Sequence, residues 1–338
     1  MIIKITGEID LANDVAAKLT ALENLLRAHG EGKHHLWMPI SSVKQLSKTE
    51  GFGAFSKRVL NELMSQVNEQ RMIHKAFVFY VDVDFLDKHR LEFVDGVLFV
   101  GYHHFFDSAS TQQAVLLAEN ELDGEAFLWG AKTYLHKNKI GGLNVSLDIQ
   151  PGGGNTTINV FSRLDRSKRF FACIIDSDRA HPHGSLGLTA RRFRGVSPGF
   201  EAKRYFEILE HHEIENLLPL AVVRAVAGKV CDNGIIFRPE YCGLRVYPDH
   251  KAGLTVKEAK AEDRARGADY WSALEDFDED DVVCPRFGAD LLRSCVSYME
   301  ELSPKKSVEH MCDEVDAEWV RISKLVASWG VGGRALRS

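Results

Sequence analysis

The spacing of apolar residues along the chain changes period several times, and each change predicts an element. In LANDVAAKLTALENLLRAHG apolar residues recur every three or four positions, which predicts an amphipathic helix with Gly30 as its stop. GAFSKRVLNELMSQVNEQ predicts a second helix. KAFVFYVDV and GVLFVGYHHFF are dense in β-branched and aromatic residues and predict strands. From about residue 111 the blocks alternate. AVLLAE reads as a short buried strand, DGEAFLWGAKTYLHK as a helix, and LNVSLDIQPGGG as a strand running into a turn. TTINVFSRLDRS reads as a helix despite its β-branched residues, RFFACIID and RYFEIL as strands, and HHEIENLLPLAVVRAVAG as a helix with a capped start. Past about residue 255 the pattern is mostly helical: PRFGADLLRSCVSYMEEL and SVEHMCDEVDAEWVRISKLVASWG predict two amphipathic helices, the second ending near Gly330.

Strands alternating with helices predict an α/β protein with a parallel sheet and helical crossovers. The expected organisation is a mixed α/β region over 1–110, a central parallel-sheet domain over 111–250 and a mostly helical region over 251–338. No internal repeat or low-complexity segment interrupts it. In such sheets ligands gather at the carboxyl ends of the strands, and Glu119 and Asp176 both fall there.

Composition narrows the classes. The 338 residues are 45% hydrophobic and 27% charged, a globular balance. No run approaches the roughly 20 apolar residues of a membrane helix. MIIKITGEIDLAND has neither the apolar core nor the cleavage site of a signal peptide. Cys173, Cys231, Cys242, Cys284, Cys295 and Cys312 form no C-x-x-C pair, which argues against structural zinc and for buried thiols in a reducing compartment, the cytoplasm. A net charge of −6 leaves room for a local basic patch that binds nucleic acid.

The candidate chemistry is carboxylate chemistry. Glu119 and Asp123 stand four apart, so both lie on one face if the chain turns helical after its strand. Asp176 and Asp178, in FFACIIDSDR, stand two apart and share a face if extended geometry persists. Acids gathered at one sheet edge repel one another, and an oxygen-preferring divalent ion, Mg²⁺ or Mn²⁺, relieves that repulsion. Two such ions about 3.5–4 Å apart would suit phosphodiester cleavage.

Glu119 after AVLLA, then PGGG, then IIDSD, then EIENLLP resembles, in order and spacing, a Toprim domain of the branch found in OLD-type (overcoming lysogenization defect) nucleases and stand-alone Toprim nucleases of anti-phage defence. The resemblance covers roughly residues 111–225. It implies a Toprim-like central parallel sheet and a two-metal nuclease acting on DNA or RNA, tRNA included. Its metal ligands would be Glu119, Asp123, Asp176, Asp178 and Glu215, with Glu119, Asp176 and Asp178 catalytic. Asn120 stands where that family more often has glycine. No G-x-x-x-x-G-K-[ST] pattern occurs, so any ATPase would come from a partner protein; self-association stays open. The alternatives are a catalytically degenerate Toprim subunit with a regulatory or assembly role, and a primase-like enzyme on the same fold.

The stretch from Arg179 to Arg204 carries Arg179, Arg191, Arg192, Arg194, Lys203 and Arg204 against one acid, Glu201. Following the D-x-D directly, it reads as a mobile basic arm for a phosphate backbone. PGGGN reads as a tight turn whose amides could also cradle a phosphate. Lys168 and Lys203 are the candidates for a catalytic lysine. His181, His183, His211 and His212 are weaker candidates, because oxygen-rich Mg²⁺ sites rarely recruit imidazole. His103 and His104 read as structural, and the acidic run Glu275 to Asp281 reads as a solvated loop.

Overall fold

Two mostly parallel five-stranded sheets carry the chain, in a computed structural model that describes residues 1–336. The first sheet uses β1 (Ile2–Lys4), α1 (Val15–Gly30), β2 (His35–Trp37), α2 (Ile40–Lys48), α3 (Ala54–Gln70), β3 (Tyr80–Asp84), β4 (Leu91–Val94) and β5 (Val97–Gly101). Its strand order is β2-β1-β3-β5-β4, parallel except for the β4–β5 hairpin. The region expected only to be mixed thus has a parallel sheet of its own. KAFVFYVDV enters its strand later than its composition predicts, after a 3₁₀ turn at Ile73–Ala76. GVLFVGYHHFF leaves its strand at Gly101 and becomes a 3₁₀ turn over Tyr102–Phe106. Gly30 does not stop α1 by a left-handed turn. It ends the helix pressed against α3, where a Cβ would lie 2.6 Å from Phe55, and the left-handed residue is Gly32 at φ +75°.

The second sheet follows the predicted alternation. It runs β6 (Ala114–Ala118), α4 (Glu121–Lys137), β7 (Asn144–Val145), β8 (Leu147–Pro151), α5 (Thr157–Arg166), β9 (Phe171–Ile175), α6 (Leu188–Arg191), β10 (Gly199–Glu201), β11 (Arg204–Ile208), α7 (Ile214–Leu217) and α8 (Leu220–Ala227). The sheet order is β10-β11-β9-β6-β8, with β11, β9, β6 and β8 parallel and β10 antiparallel at the edge; β7 lies outside it. Every residue of β6 and β9 is buried. Val115, Leu117, Phe171, Cys173 and Ile175 face Phe161, Phe193 and Phe206 on one side, while Leu116, Ala172 and Ile174 belong to the main core on the other. Strands covered on both faces read as unbroken apolar runs, which is why FFACII shows no alternation. The single helix expected over HHEIENLLPLAVVRAVAG is two, because Pro219 cannot continue the turn begun by α7.

The remaining elements are β12 (Leu254–Thr255), α9 (Val256–Arg266), β13 (Val282–Cys284), α10 (Leu291–Glu301), α11 (Pro304–Glu309), α12 (Ala317–Gly330) and β14 (Val331–Gly332). The last predicted helix is also divided. Asp316 sits at the break, its carboxylate accepting hydrogen bonds from Cys312 N at 3.0 Å and Leu220 N at 2.9 Å. Helix α12 packs along α4, with Trp319 against Phe127 and close over Gly130. β14 pairs with β7 in a small ladder of its own, and the Met1 amine donates to Val331 O at 2.6 Å, so the end of the last helix is tied to the start of β1 in the first sheet. No helix among the described residues is long and apolar enough to cross a membrane.

Candidate metal centre

The carboxyl ends of β6 and β9 are neighbours, and the residues just beyond them meet the loop before α7. Glu119 leaves β6 directly, and Asp123 lies in the first turn of α4, 5% exposed. Asp123 also has a structural duty: its carboxylate accepts from Asn120 N at 2.9 Å and closes the capping box that starts α4. The PGGG turn after β8 lies alongside. Gly152 N donates to Ala118 O at 2.8 Å and Gly153 N to Glu119 O at 3.0 Å. Those two amides are spent on holding the β6 exit, which removes them from any phosphate cradle.

Asp176 and Asp178 follow β9 but do not share a simple extended face. Asp178 has a left-handed backbone, φ +53°, and its N–H donates to His212 O at 2.8 Å. The intervening Ser177 is fully buried, its hydroxyl donating to His211 O at 2.7 Å. These bonds lash the β9 exit to residues 211–212 and bring the next acids alongside. Glu215 is 2% exposed, and Lys251 Nζ lies 2.8 Å from Glu213 Oε1 and 3.3 Å from Glu215 Oε1.

The electrostatics record this crowding. Burial pushes Glu119 up to about 7, reinforced by Asp178 and Asp123 and opposed by Thr189 and the Asp176 main chain. Burial also holds Asp176 well above the carboxylate range, with Asp123, Glu119, Glu215 and Glu213 adding to the push. Asp123, Asp178 and Glu215 are raised by burial too; Lys251 counteracts the rise at all three. The five acids expected from the sequence therefore form one interacting cluster: Asp176 feels Asp123, Glu119 and Glu215, and Asp178, though exposed, acts on Glu119.

Ligand-distance geometry, however, falls beside those five. Among the described residues, the set of three whose candidate ligand atoms lie within 4.8 Å of one another is His212, Glu213 and Asp249. Glu213 Oε2, His212 Nδ1 and Glu119 Oε1 are all buried without a hydrogen-bond partner. Buried acceptors left unsatisfied are costly unless a cation or donor completes them, so the residues present fit a divalent ion. Sequence reasoning undervalued His212 and missed Glu213, Asp249 and Lys251. One signal was available: E-x-E at Glu213 and Glu215 repeats the spacing of D-x-D.

Several expected roles need correction. Lys203 cannot serve phosphate: its ammonium caps the end of α5, donating to Asp165 O at 2.7 Å and Ser167 O at 2.5 Å. Arg204 is 7% exposed and pairs with Asp165 and Glu201. Both lie at the opposite end of the sheet from the acids, as does Lys168, which lies just before β9 beside His104. The lysine in the acid pocket is Lys251. Arg191, Arg192 and Arg194 are exposed and Arg179 is partly buried, none with a carboxylate partner among the described residues. The arm is not a free loop. It contains α6, and buried His181 bonds Asp263 on α9 at 2.8 Å, a structural role. His183 is exposed, and the acidic run Glu275 to Asp281 is solvated apart from Phe277.

Gly187 begins α6 directly over Asp178, and a Cβ there would lie 1.8 Å from Asp178 Oδ2. Only glycine lets α6 approach this closely, and the approach brings Thr189 to Glu119. Compared with known proteins, the chain matches no protein-family model, no curated protein and no solved structure.

Proposed function

We propose that the chain is a divalent-metal-dependent nuclease that hydrolyses phosphodiester bonds of DNA or RNA, built on a Toprim-like sheet. The observation that carries this reading is the convergence of Glu119, Asp123, Asp176, Asp178, Glu213 and Glu215 at the carboxyl edge of parallel strands, with unsatisfied acceptors among them. Glu119, Asp176 and Asp178, joined by the His212–Glu213–Asp249 set, are the groups that would hold Mg²⁺ or Mn²⁺. A bound ion supplies charge that polarises a phosphoryl oxygen and acidifies a coordinated water.

The chain's own residues account for the rest. Where Glu119 is not bonded to the ion, its carboxylate, raised by burial to about 7, takes a proton from the attacking water. Lys251 presents a fixed ammonium at the pocket, suited to charge that builds on the phosphoryl group. Arg179, Arg191, Arg192 and Arg194 hold the substrate backbone. Through the resemblance this would be an effector of anti-phage defence in the reducing cytoplasm, acting with an ATPase in trans.

One observation favours a second reading. Lys251 already pairs with Glu213 and Glu215 internally, as a structural role in a non-catalytic subunit on the same fold would require.

Incubation of wild type and Asp176→Asn with plasmid DNA and total tRNA, with and without Mn²⁺, separates the two. Metal-dependent cleavage by wild type and its loss by at least 100-fold in the variant is the expected result. No cleavage, together with no Mn²⁺-induced rise in melting temperature, would favour the subunit.

A further inference from the structure

The first sheet has a crevice of its own. In the order β2-β1-β3-β5-β4, the chain leaves β1 toward β2 on one side and returns to β3 on the other. The carboxyl ends of β1 and β3 are therefore a topological switch point, where open α/β sheets bind ligands. Beside it, at the carboxyl ends of β1 and β2, lies a cavity of about 350 Å³ lined by Lys4, Thr6, Trp37, Pro39, Arg71, Met72 and His74. That volume is at the small end of the roughly 300–1,000 Å³ typical of small-molecule sites.

Its charge is unusual for a buried place. Lys4 is 7% exposed, and no carboxylate oxygen lies within 4.0 Å of its ammonium among the described residues. Asp82 is the acid that acts on it from the neighbouring strand. The Asp82 carboxylate is engaged by Thr6, accepting from the hydroxyl at 2.5 Å and from the backbone N–H at 3.2 Å. The ammonium lies over the rings of Trp37, at 4.7 Å, and Tyr80, at 5.0 Å. Arg71, exposed at the end of α3, also forms no ion pair among the described residues, and it stands close enough to oppose the charge on Lys4. The His74 ring lies beside the ammonium, Lys4 Nζ 3.5 Å from His74 Nδ1. A buried ammonium without a bonded counter-ion costs free energy, and an anion held between it and the exposed Arg71 guanidinium recovers it.

We propose that this cavity binds the phosphate group of a small phosphorylated ligand through Lys4, Arg71 and His74. The site is separate from the acid pocket and does not depend on the nuclease reading. A phosphate matches the donors, since it offers several acceptor oxygens to an ammonium, a guanidinium and an imidazole N–H.

Isothermal titration calorimetry on the full chain at low salt tests this, with inorganic phosphate and with AMP as the two probes. Saturable binding by at least one is expected, weakened at least 10-fold by Lys4→Met and by Arg71→Gln and unchanged by Lys257→Gln, an exposed position on α9. Met keeps the buried stem at position 4, and Arg71 is exposed, so the second variant reports even if the first misfolds. AMP binding at least 10-fold tighter than phosphate would assign the ligand as a nucleotide. Equal affinities would mean that the phosphate alone is read. Absence of saturable binding by both probes, or binding indifferent to Arg71→Gln, would overturn the proposal.

Discussion

At the scale of single residues, the acid pocket stores repulsion that pH should reveal. Glu119 is held up to about 7 against an ordinary 4.5, chiefly by burial. A carboxyl raised in the folded state binds a proton that the unfolded chain releases more readily. Its contribution is full below the unfolded value and is lost as pH rises through the folded one. Asp123, Asp176, Asp178 and Glu215 shift the same way. The metal-free protein should therefore lose melting temperature as pH rises from about 4.5 to 7, and Glu119→Gln should flatten that fall. Thermal melts across the window check it; a midpoint that climbs with pH in the wild type contradicts it. Glu119, Asp176 and Asp178 were legible in the sequence because each ends an apolar run. His212, Glu213, Asp249 and Lys251 were not, because they sit in loops placed only by long-range bonds such as Asp178 N–H to His212 O and His212 N–H to Val246 O.

Elements were legible where one periodic block made one element. β6, α4, β8, α5, β9 and β11 follow their apolar patterns closely. The divided helices were not, since periodicity runs on through Pro219 and Asp316 while the backbone turns aside. The seating of α6 was also hidden, because it depends on an absence: Gly187 has no side chain where Asp178 needs room. Gly187→Ala must push α6 away from the β9 exit or displace Asp178, which has little freedom at φ +53°. Affinity for Mn²⁺ should fall at least 10-fold, with a loss of stability of about 1–3 kcal/mol, the range for overpacking a tight contact. Calorimetric titration with Mn²⁺ and a urea melt measure the two effects. Unchanged affinity would mean that Asp178 stands outside the metal's reach.

Over the whole molecule, charge is divided by location rather than by composition. The net charge is −6, yet Arg179, Arg191, Arg192 and Arg194, on the stretch that follows Asp178, form no ion pair among the described residues, and Lys203 and Arg204 are tied up at the far end of the sheet. Each exposed arginine that meets a phosphate should contribute about one unit to the slope of log affinity against log salt. Replacing Arg192 and Arg194 together by Gln should lower that slope by about two, whereas Lys203→Gln should leave it unchanged and lower the melting temperature. Fluorescence anisotropy with a labelled duplex at several salt concentrations makes the comparison.

The lashing of the β9 exit to residues 211–212, and of Lys251 to Glu213 and Glu215, also bears on the chain during its synthesis. A ribosome-bound chain that has emerged only as far as β11 already carries Glu119, Asp123, Asp176 and Asp178. It lacks the residues that pin Asp178, supply Glu213 and Asp249 and deliver the ammonium. The acids that leave β6 and β9 are thus ordered only once residues 211–251 have emerged and joined them, so the first half of the cluster exists on the growing chain before the groups that hold it in place.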